Sequence, residues 1–266
     1  MRVLLFGSTG NLGARCVPAL LAHDHTLTVY VRDLSKLKSM MSPAIIERLE
    51  SIVVGDATDA AAIERAIREH AIEAIINVAG NQVLPWNEYT LPKIAKAVSD
   101  AAIAVGKERG VPMRIWFTAS VQLLKIPGLS YMIQDLAPFK SLTMAQHEAT
   151  RQVIEPISLT ELRWSLLCVS RMTPLDPKQG IFELLDTPRP HNLLLGANTL
   201  PSWIDSWVNS IPVIGKYINI WVVILSQYYT TLESPADFLA EDLEKGSGEF
   251  VGKFVGMKEK PKSKDN

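Results

Sequence analysis

The sequence predicts an α/β protein built on a doubly wound parallel sheet, with a small C-terminal lid over the substrate. Three observations carry that expectation. Apolar runs of strand length alternate with amphipathic runs of helix length over roughly the first two-thirds of the chain. The first run, Val3 to Phe6, breaks into a turn with glycines at Gly7, Gly10 and Gly13. A second β-forming run, Thr26 to Val31, follows after one crossover helix.

Bulk properties bound the rest. The 266 residues suffice for one large α/β domain or two small ones. The expected division is a dinucleotide-binding core over 1–170, a variable substrate-binding or lid region over 171–232, a closing helix and extension over 233–255, and a disordered tail over 256–266. With 27 basic and 28 acidic residues the net charge is −1, so nothing electrostatic points to nucleic acid or to acidic membranes. Cys16 and Cys168 lie far apart in apolar runs and read as reduced core thiols. The chain enters a core strand at once, so no signal peptide is expected and the expected compartment is the cytoplasm. No spacing suggests a metal site.

Val3 to Phe6 reads as a strand buried on both faces. The turn Gly7-Ser8-Thr9-Gly10-Asn11-Leu12-Gly13 lets backbone N–H groups approach a pyrophosphate, and the following helix, about Asn11 to Ala22, turns its positive end toward it. Pro18 lies inside that helix and should bend it. Thr26 to Val31 ends at Arg32-Asp33, with Lys36 and Lys38 nearby. In such folds this position meets the adenosine ribose, where an arginine suits a 2′-phosphate and a carboxylate a free hydroxyl. Arg32 comes first, which favours NADP over NAD, and Asp33 argues the other way.

Ser51 to Val54 is the third strand, leading into Gly55-Asp56-Ala57-Thr58-Asp59. Either Asp56 or Asp59 would cap the helix over 60–70. Ala74 to Val78 is the fourth strand, and the small residues Ala79 and Gly80 leave room at its carboxyl edge. A helix over about Pro92 to Glu108 returns to a fifth strand, Arg114 to Phe117, which finishes at Thr118-Ala119-Ser120. A helix beginning at Met144 leads to the sixth strand from Leu162.

The spacing of Gly7, Gly10 and Gly13, as Gly-Ser-Thr-Gly-Asn-Leu-Gly, resembles the short-chain dehydrogenase superfamily, and most of all its atypical, NmrA-like and NAD(P)H-binding branch. The resemblance runs from Met1 to about Val255 and implies a Rossmann fold with Asp56 against the adenine. The superfamily's main branch sets a serine beyond strand five beside a Tyr-x-x-x-Lys pair, whose lysine lowers the phenol's pKa for proton transfer. Ser120 and Tyr131 match the serine and the tyrosine. Asp135 stands where the lysine belongs, and Lys140 and Lys125 are out of register. The segment holding His147 is similar to that of biliverdin and flavin reductases, which lack the pair and hold a flat conjugated acceptor over the nicotinamide. The resemblance therefore implies Thr118, Ser120 and His147 as polar contacts, with His147 paired to Glu148 or to solvent as the alternative. His191 is a weaker candidate.

The stretch from Trp203 to Leu225 holds three of the six tryptophans. Pro212, Gly215, Lys216 and Asn219 interrupt it as a membrane span. A lone lysine argues against an amphipathic membrane helix, and a lid forming an apolar substrate pocket is favoured over dimer or membrane contact. Glu233 or Ser234 should cap a final helix with Pro235 in its first turn, a short strand or extension is expected after Lys245-Gly246-Ser247-Gly248, and the lysine-rich end from Lys258 is expected to be disordered.

Three functions fit. The leading one is an NADPH-dependent oxidoreductase acting on a small hydrophobic acceptor such as a quinone, enone or flavin-like ring, as a monomer or homodimer. The others are an NADP-binding regulator without turnover and a redox-neutral cyclase or isomerase.

Overall fold

A computed structural model describes residues 1–80, 89–136 and 145–261. Ten strands and eight helices are found among the described residues. In chain order they are β1 (Arg2–Phe6), α1 (Gly13–Ala22), β2 (Thr26–Val31), α2 (Leu34–Met40), α3 (Pro43–Arg48), β3 (Ser51–Val54), α4 (Ala60–Glu69), β4 (Ala74–Asn77), α5 (Leu91–Arg109), β5 (Met113–Ser120), α6 (Ala145–Ile154) and β6 (Leu162–Val169). Then follow β7 (Arg171–Thr173), β8 (Leu193–Ala197), α7 (Gly215–Gln227), β9 (Tyr229–Thr231), α8 (Glu233–Lys245) and β10 (Phe254–Glu259).

Eight strands form one sheet in the order β3-β2-β1-β4-β5-β6-β10-β8, and β7 pairs with β9 apart from it. All pairings in the large sheet are parallel except β10 with β8. The first six strands thus follow the order of a dinucleotide-binding fold, in which ligands lie across the carboxyl ends of the strands.

The alternation along β1 shows how the layers form. Leu4 and Phe6 join a core with Ile63 and Ile67 of α4, Val98 of α5 and Ile154 of α6. Val3 and Leu5 face the other way, into a core with Val17 and Leu20 of α1 and Leu239 and Leu243 of α8. A strand apolar on both faces is what a sheet covered by helices on both sides requires. Cys16 and Cys168 are free and wholly buried, and burial raises both thiol pKa values. Helix α1 continues through Pro18 to Ala22.

Two expectations are corrected at the C-terminal end. The chain is not irregular from 256: β10 runs to Glu259, between β6 and β8. Val255 and Met257 drive this by burying their side chains on one face, and Lys258 is nearly buried, with its Nζ donating to Ser202 O and Gln227 Oε1. The expected tail over 262–266 lies outside the described residues. Neither Glu233 nor Ser234 caps α8; Thr231 Oγ1 accepts the Ser234 N–H at 3.0 Å. Glu233 is occupied otherwise, with Oε1 accepting from Arg15 Nε at 2.6 Å and Oε2 from the Leu175 N–H at 3.0 Å.

A second buried pair fixes α8 to the sheet. Asp242 accepts from Arg114 at 3.0 Å and from Trp116 Nε1 at 2.9 Å, and Arg114 also donates to Ser165 Oγ at 2.8 Å. Both side chains of the pair are under a tenth exposed, so removing one partner strands a buried charge. Asp242→Ala should lower stability by about 3–5 kcal/mol, seen as a lower urea midpoint at unchanged slope.

Candidate functional site

The glycine turn is shaped by close approach of main chain to main chain. Gly7 adopts φ +85°, and a Cβ there would stand 2.6 Å from Ala79 N. A Cβ at Gly13 would stand 2.0 Å from Gly7 O, so α1 can lie against the end of β1 only through a residue without a side chain. Inside the turn the Gly10 N–H donates to Gly7 O at 2.8 Å and the Ala14 N–H to Gly10 O at 2.9 Å. Among the described residues nothing accepts the N–H groups of Asn11 and Leu12, which leaves donors at the helix start for an anion. Gly10 and Asn11 are exposed and Gly7 and Thr9 half-buried, whereas Ser8, Leu12 and Gly13 are buried. Ser8 Oγ has no partner among the described residues.

At the neighbouring strand ends the charges are sorted. Asp33 caps α2, accepting the Lys36 N–H at 3.0 Å, while Arg32 stays exposed with no side-chain partner among the described residues. Asp59 caps α4, accepting the Ala62 N–H at 3.0 Å. Asp56 accepts from the N–H and hydroxyl of Thr58, both at 2.8 Å. Those two bonds, with a smaller contribution from the nearby Arg32 charge, hold its carboxyl below the usual range. So Asp59 is the cap, and Asp56 is exposed across from Arg32. Beside them a cavity of about 490 Å³ opens between α4 and α5, lined by Thr58, Ala60, Pro92, Lys93, Lys96, Ala97 and Asp100.

At the other end, Asn77 Oδ1 accepts the Ala79 N–H at 3.1 Å, fixing the bend that leads to Gly80. β5 continues three residues past the register of Asn77, so Thr118 to Ser120 are paired only with β6 and stand above the end of β4. Ser120 Oγ accepts the Gln122 N–H at 3.4 Å. Tyr131 is half-buried and packs against the core on the α4, α5 and α6 side of the sheet. Asp135 does not reach toward it: Oδ2 accepts the Met132 N–H at 2.9 Å. Lys140 and Met144 lie outside the described residues.

The alternative pairing of His147 with Glu148 does not form. Glu148 is held by Arg151 at 2.5 and 2.8 Å and by Gln134 at 2.7 Å, an arrangement that also ties the turn after Tyr131 to α6. His147 Nδ1 is buried with no partner among the described residues, and burial pushes the imidazole down to about 4. It is neutral at neutral pH. His191 lies on the opposite face of the sheet, its ring edge against Phe238 and Nδ1 accepting the Leu193 N–H, and takes no part here.

Sequence reasoning missed a larger cavity of about 580 Å³ beyond the end of β10, lined among others by Arg189, Tyr229, Asp237 and Lys258. Asp237 is paired with Arg189 at 3.2 Å, yet burial pushes its carboxyl up to about 6. These residues come from distant parts of the chain, and no local spacing marks them. No group of metal-ligand type occurs among the described residues, and none of the described helices is long and apolar enough to cross a membrane.

A glycine turn between the first strand and first helix of a 3-2-1-4-5-6 sheet defines a dinucleotide-binding protein. The chain belongs to the NAD(P)H-binding family, whose sequence profile matches residues 7–191. No curated protein matches the sequence. Among solved structures, a candidate epimerase from Bacteroides thetaiotaomicron superposes with TM-score 0.63 at 17% identity, covering 98% of each chain. A candidate NADH-flavin reductase from Streptococcus pneumoniae superposes with TM-score 0.62 at 16% identity, over 98% of this chain and 100% of that one. An oxidoreductase from Lactococcus lactis reaches 0.59 at 16%, over 98% and 91%. At these identities the likeness is one of fold.

The state of His147 gives a pH test. Its imidazole titrates at about 4 when folded against an ordinary 6.5, so the unfolded chain binds the proton more readily between those values. This contribution is full above pH 6.5 and is lost as pH falls toward 4. Asp237, shifted the other way, acts equally in a variant and cancels in the difference. His147→Asn should therefore lose less stability than wild type between pH 7 and pH 5 in urea titrations; equal losses would show that His147 titrates normally.

Proposed function

We propose that the protein is an NADP(H)-dependent oxidoreductase that passes hydride to a hydrophobic conjugated acceptor, such as a quinone, enone or flavin-like ring. The observation that carries the cofactor choice is the division of labour after β2: Asp33 is held as the cap of α2, and Arg32 is left exposed opposite Asp56. A guanidinium there suits a 2′-phosphate, to which it can donate two parallel hydrogen bonds.

The reduced nicotinamide, when bound, supplies the hydride. The chain's own part begins with the N–H groups of Asn11 and Leu12 at the pyrophosphate and the room left by Ala79 and Gly80. Thr118 and Ser120 stand above the end of β4, where the reacting ring would lie. Asp135 occupies the place of the superfamily's lysine and binds the Met132 N–H, so Tyr131 lacks an activating cation at that position. That favours acceptors for which orientation does most of the work. His147, neutral and without a partner for Nδ1, can give one N–H hydrogen bond to an acceptor oxygen, and the proton that completes the reduction comes from water. Helix α7 packs Ile220, Val223 and Ile224 into the same apolar cluster as Tyr131, which supports an apolar acceptor.

Two measurements test this. In NADPH absorbance assays over a panel of quinones, enones and flavins, at least one acceptor should be reduced. Binding shown by nicotinamide fluorescence, with no consumption across the panel, would favour an NADP-binding regulator. Arg32→Glu should weaken NADPH by about 10- to 100-fold, for one lost charge-assisted contact and a new repulsion, while leaving NADH within a few-fold. Equal loss for both cofactors would remove Arg32 from the 2′-phosphate.

A further inference from the structure

Between Asp205 and Glu233 the chain carries a single charged residue, Lys216. The structure turns much of this stretch outward. Trp207 is 79% exposed, Val213 90%, Ile214 54%, Tyr217 53% and Ile218 40%. The apex is a three-residue turn in which the Ile214 N–H donates to Pro212 O at 2.8 Å, with Val213 at φ +68°. A β-branched side chain in the left-handed region is strained. If only the turn mattered, glycine or asparagine would serve better. A valine held there, almost wholly in water, implies that its apolar side chain is used.

The tip is held firmly from below. Asp205 accepts from Asn219 Nδ2 at 2.8 Å and Asn209 Nδ2 at 2.9 Å, and Asn219 Oδ1 accepts the Ser206 N–H at 2.7 Å. A Cβ at Gly215 would stand 2.4 Å from Val208 O, so α7 and the turn over 207–210 are in close contact. The exposure therefore belongs to a built surface.

We propose that this tip docks on a phospholipid bilayer and inserts into its interfacial layer. Its chemistry is graded with depth as that layer is: Pro212, Val213 and Ile214 at the apex, Trp207 and Tyr217 as amphipathic rings, Lys216 as a cation for headgroup phosphate, and the Asp205–Asn209–Asn219 clamp on the water side. The insertion is shallow, because α7 has 13 residues and at 1.5 Å per residue spans about 20 Å of a hydrocarbon core about 30 Å thick. A protein partner would be met through a polar rim with charge pairs, and the tip offers one lysine. The proposal rests on the oxidoreductase reading in one respect: the inner face of α7 adjoins the Tyr131 cluster, so a lipid-dissolved acceptor would meet the protein at this surface.

The test uses the full chain with vesicles of phosphatidylcholine alone and of phosphatidylcholine with phosphatidylserine, read by co-sedimentation and tryptophan emission, without NADPH. The protein should partition onto both, because the tip is apolar and carries one lysine, with a blue shift of emission. Val213→Asn, which suits the turn better than valine, combined with Trp207→Ser, should reduce partitioning about tenfold or more while Tm and NADPH fluorescence stay as in wild type. Wild-type protein remaining in the supernatant with both vesicles would overturn the proposal, as would equal partitioning of the double variant. A lipid-free dimer that the same variant converts to monomer would assign the tip to a second copy instead. Partitioning without NADPH consumption would leave the docking surface standing while the reductase reading fails.

Discussion

The structure depends first on a place where three stretches of main chain meet with no room for a side chain. Gly13 brings the start of α1 against Gly7, and Gly7 in turn lies against Ala79 at the end of β4. Strand, turn, helix and the next strand's exit thereby become one body. The donors at the start of α1 and the gap above β4 are consequences of that contact. Both are fixed before any ligand arrives, which is what tight binding of a phosphate by backbone donors needs.

Two buried ion pairs extend this rigidity to the far end of the chain. Arg15 holds Glu233 at 2.6 Å and the Asn11 carbonyl at 2.8 Å, so the glycine turn and the start of α8 are tied through one guanidinium, which also sits over the ring of Phe182. Arg114 and Asp242 join the same helix to the middle of the sheet. Such pairs are costly to desolvate and serve better as devices of registration than as sources of stability. Here they set the last helix against the first.

The fold was legible where local chemistry decides it. β2 and β3 begin and end where their β-forming runs do, and the glycine spacing located the turn. The site was legible only in part. Asp56 and Asp59 offered the same cap to a reader of sequence, and the choice depends on where β3 ends relative to α4. His147 and Glu148 are neighbours in sequence, but adjacent residues on a helix point apart, so Glu148 turned to Arg151 and Gln134 instead. A short strand after Gly248 was legible, but the far half of β10 was hidden because its lysines resemble a tail, whereas its pairing comes from β6 and β8, about ninety and sixty residues earlier. The outward face of 207–218 was hidden for another reason: a nearly continuous apolar run has no periodicity to say which side meets the core.

The most direct test of the whole account is a fluorescence titration of NADPH into wild-type protein and Gly10→Val. Gly10 is exposed and a Cβ there would meet only Gly7 O, at 3.2 Å, so the variant should fold with nearly the wild-type Tm while its side chain covers the donors of the turn. Wild type should show saturable enhancement of nicotinamide emission and the variant none. Equal binding by both proteins would place the dinucleotide elsewhere and contradict it.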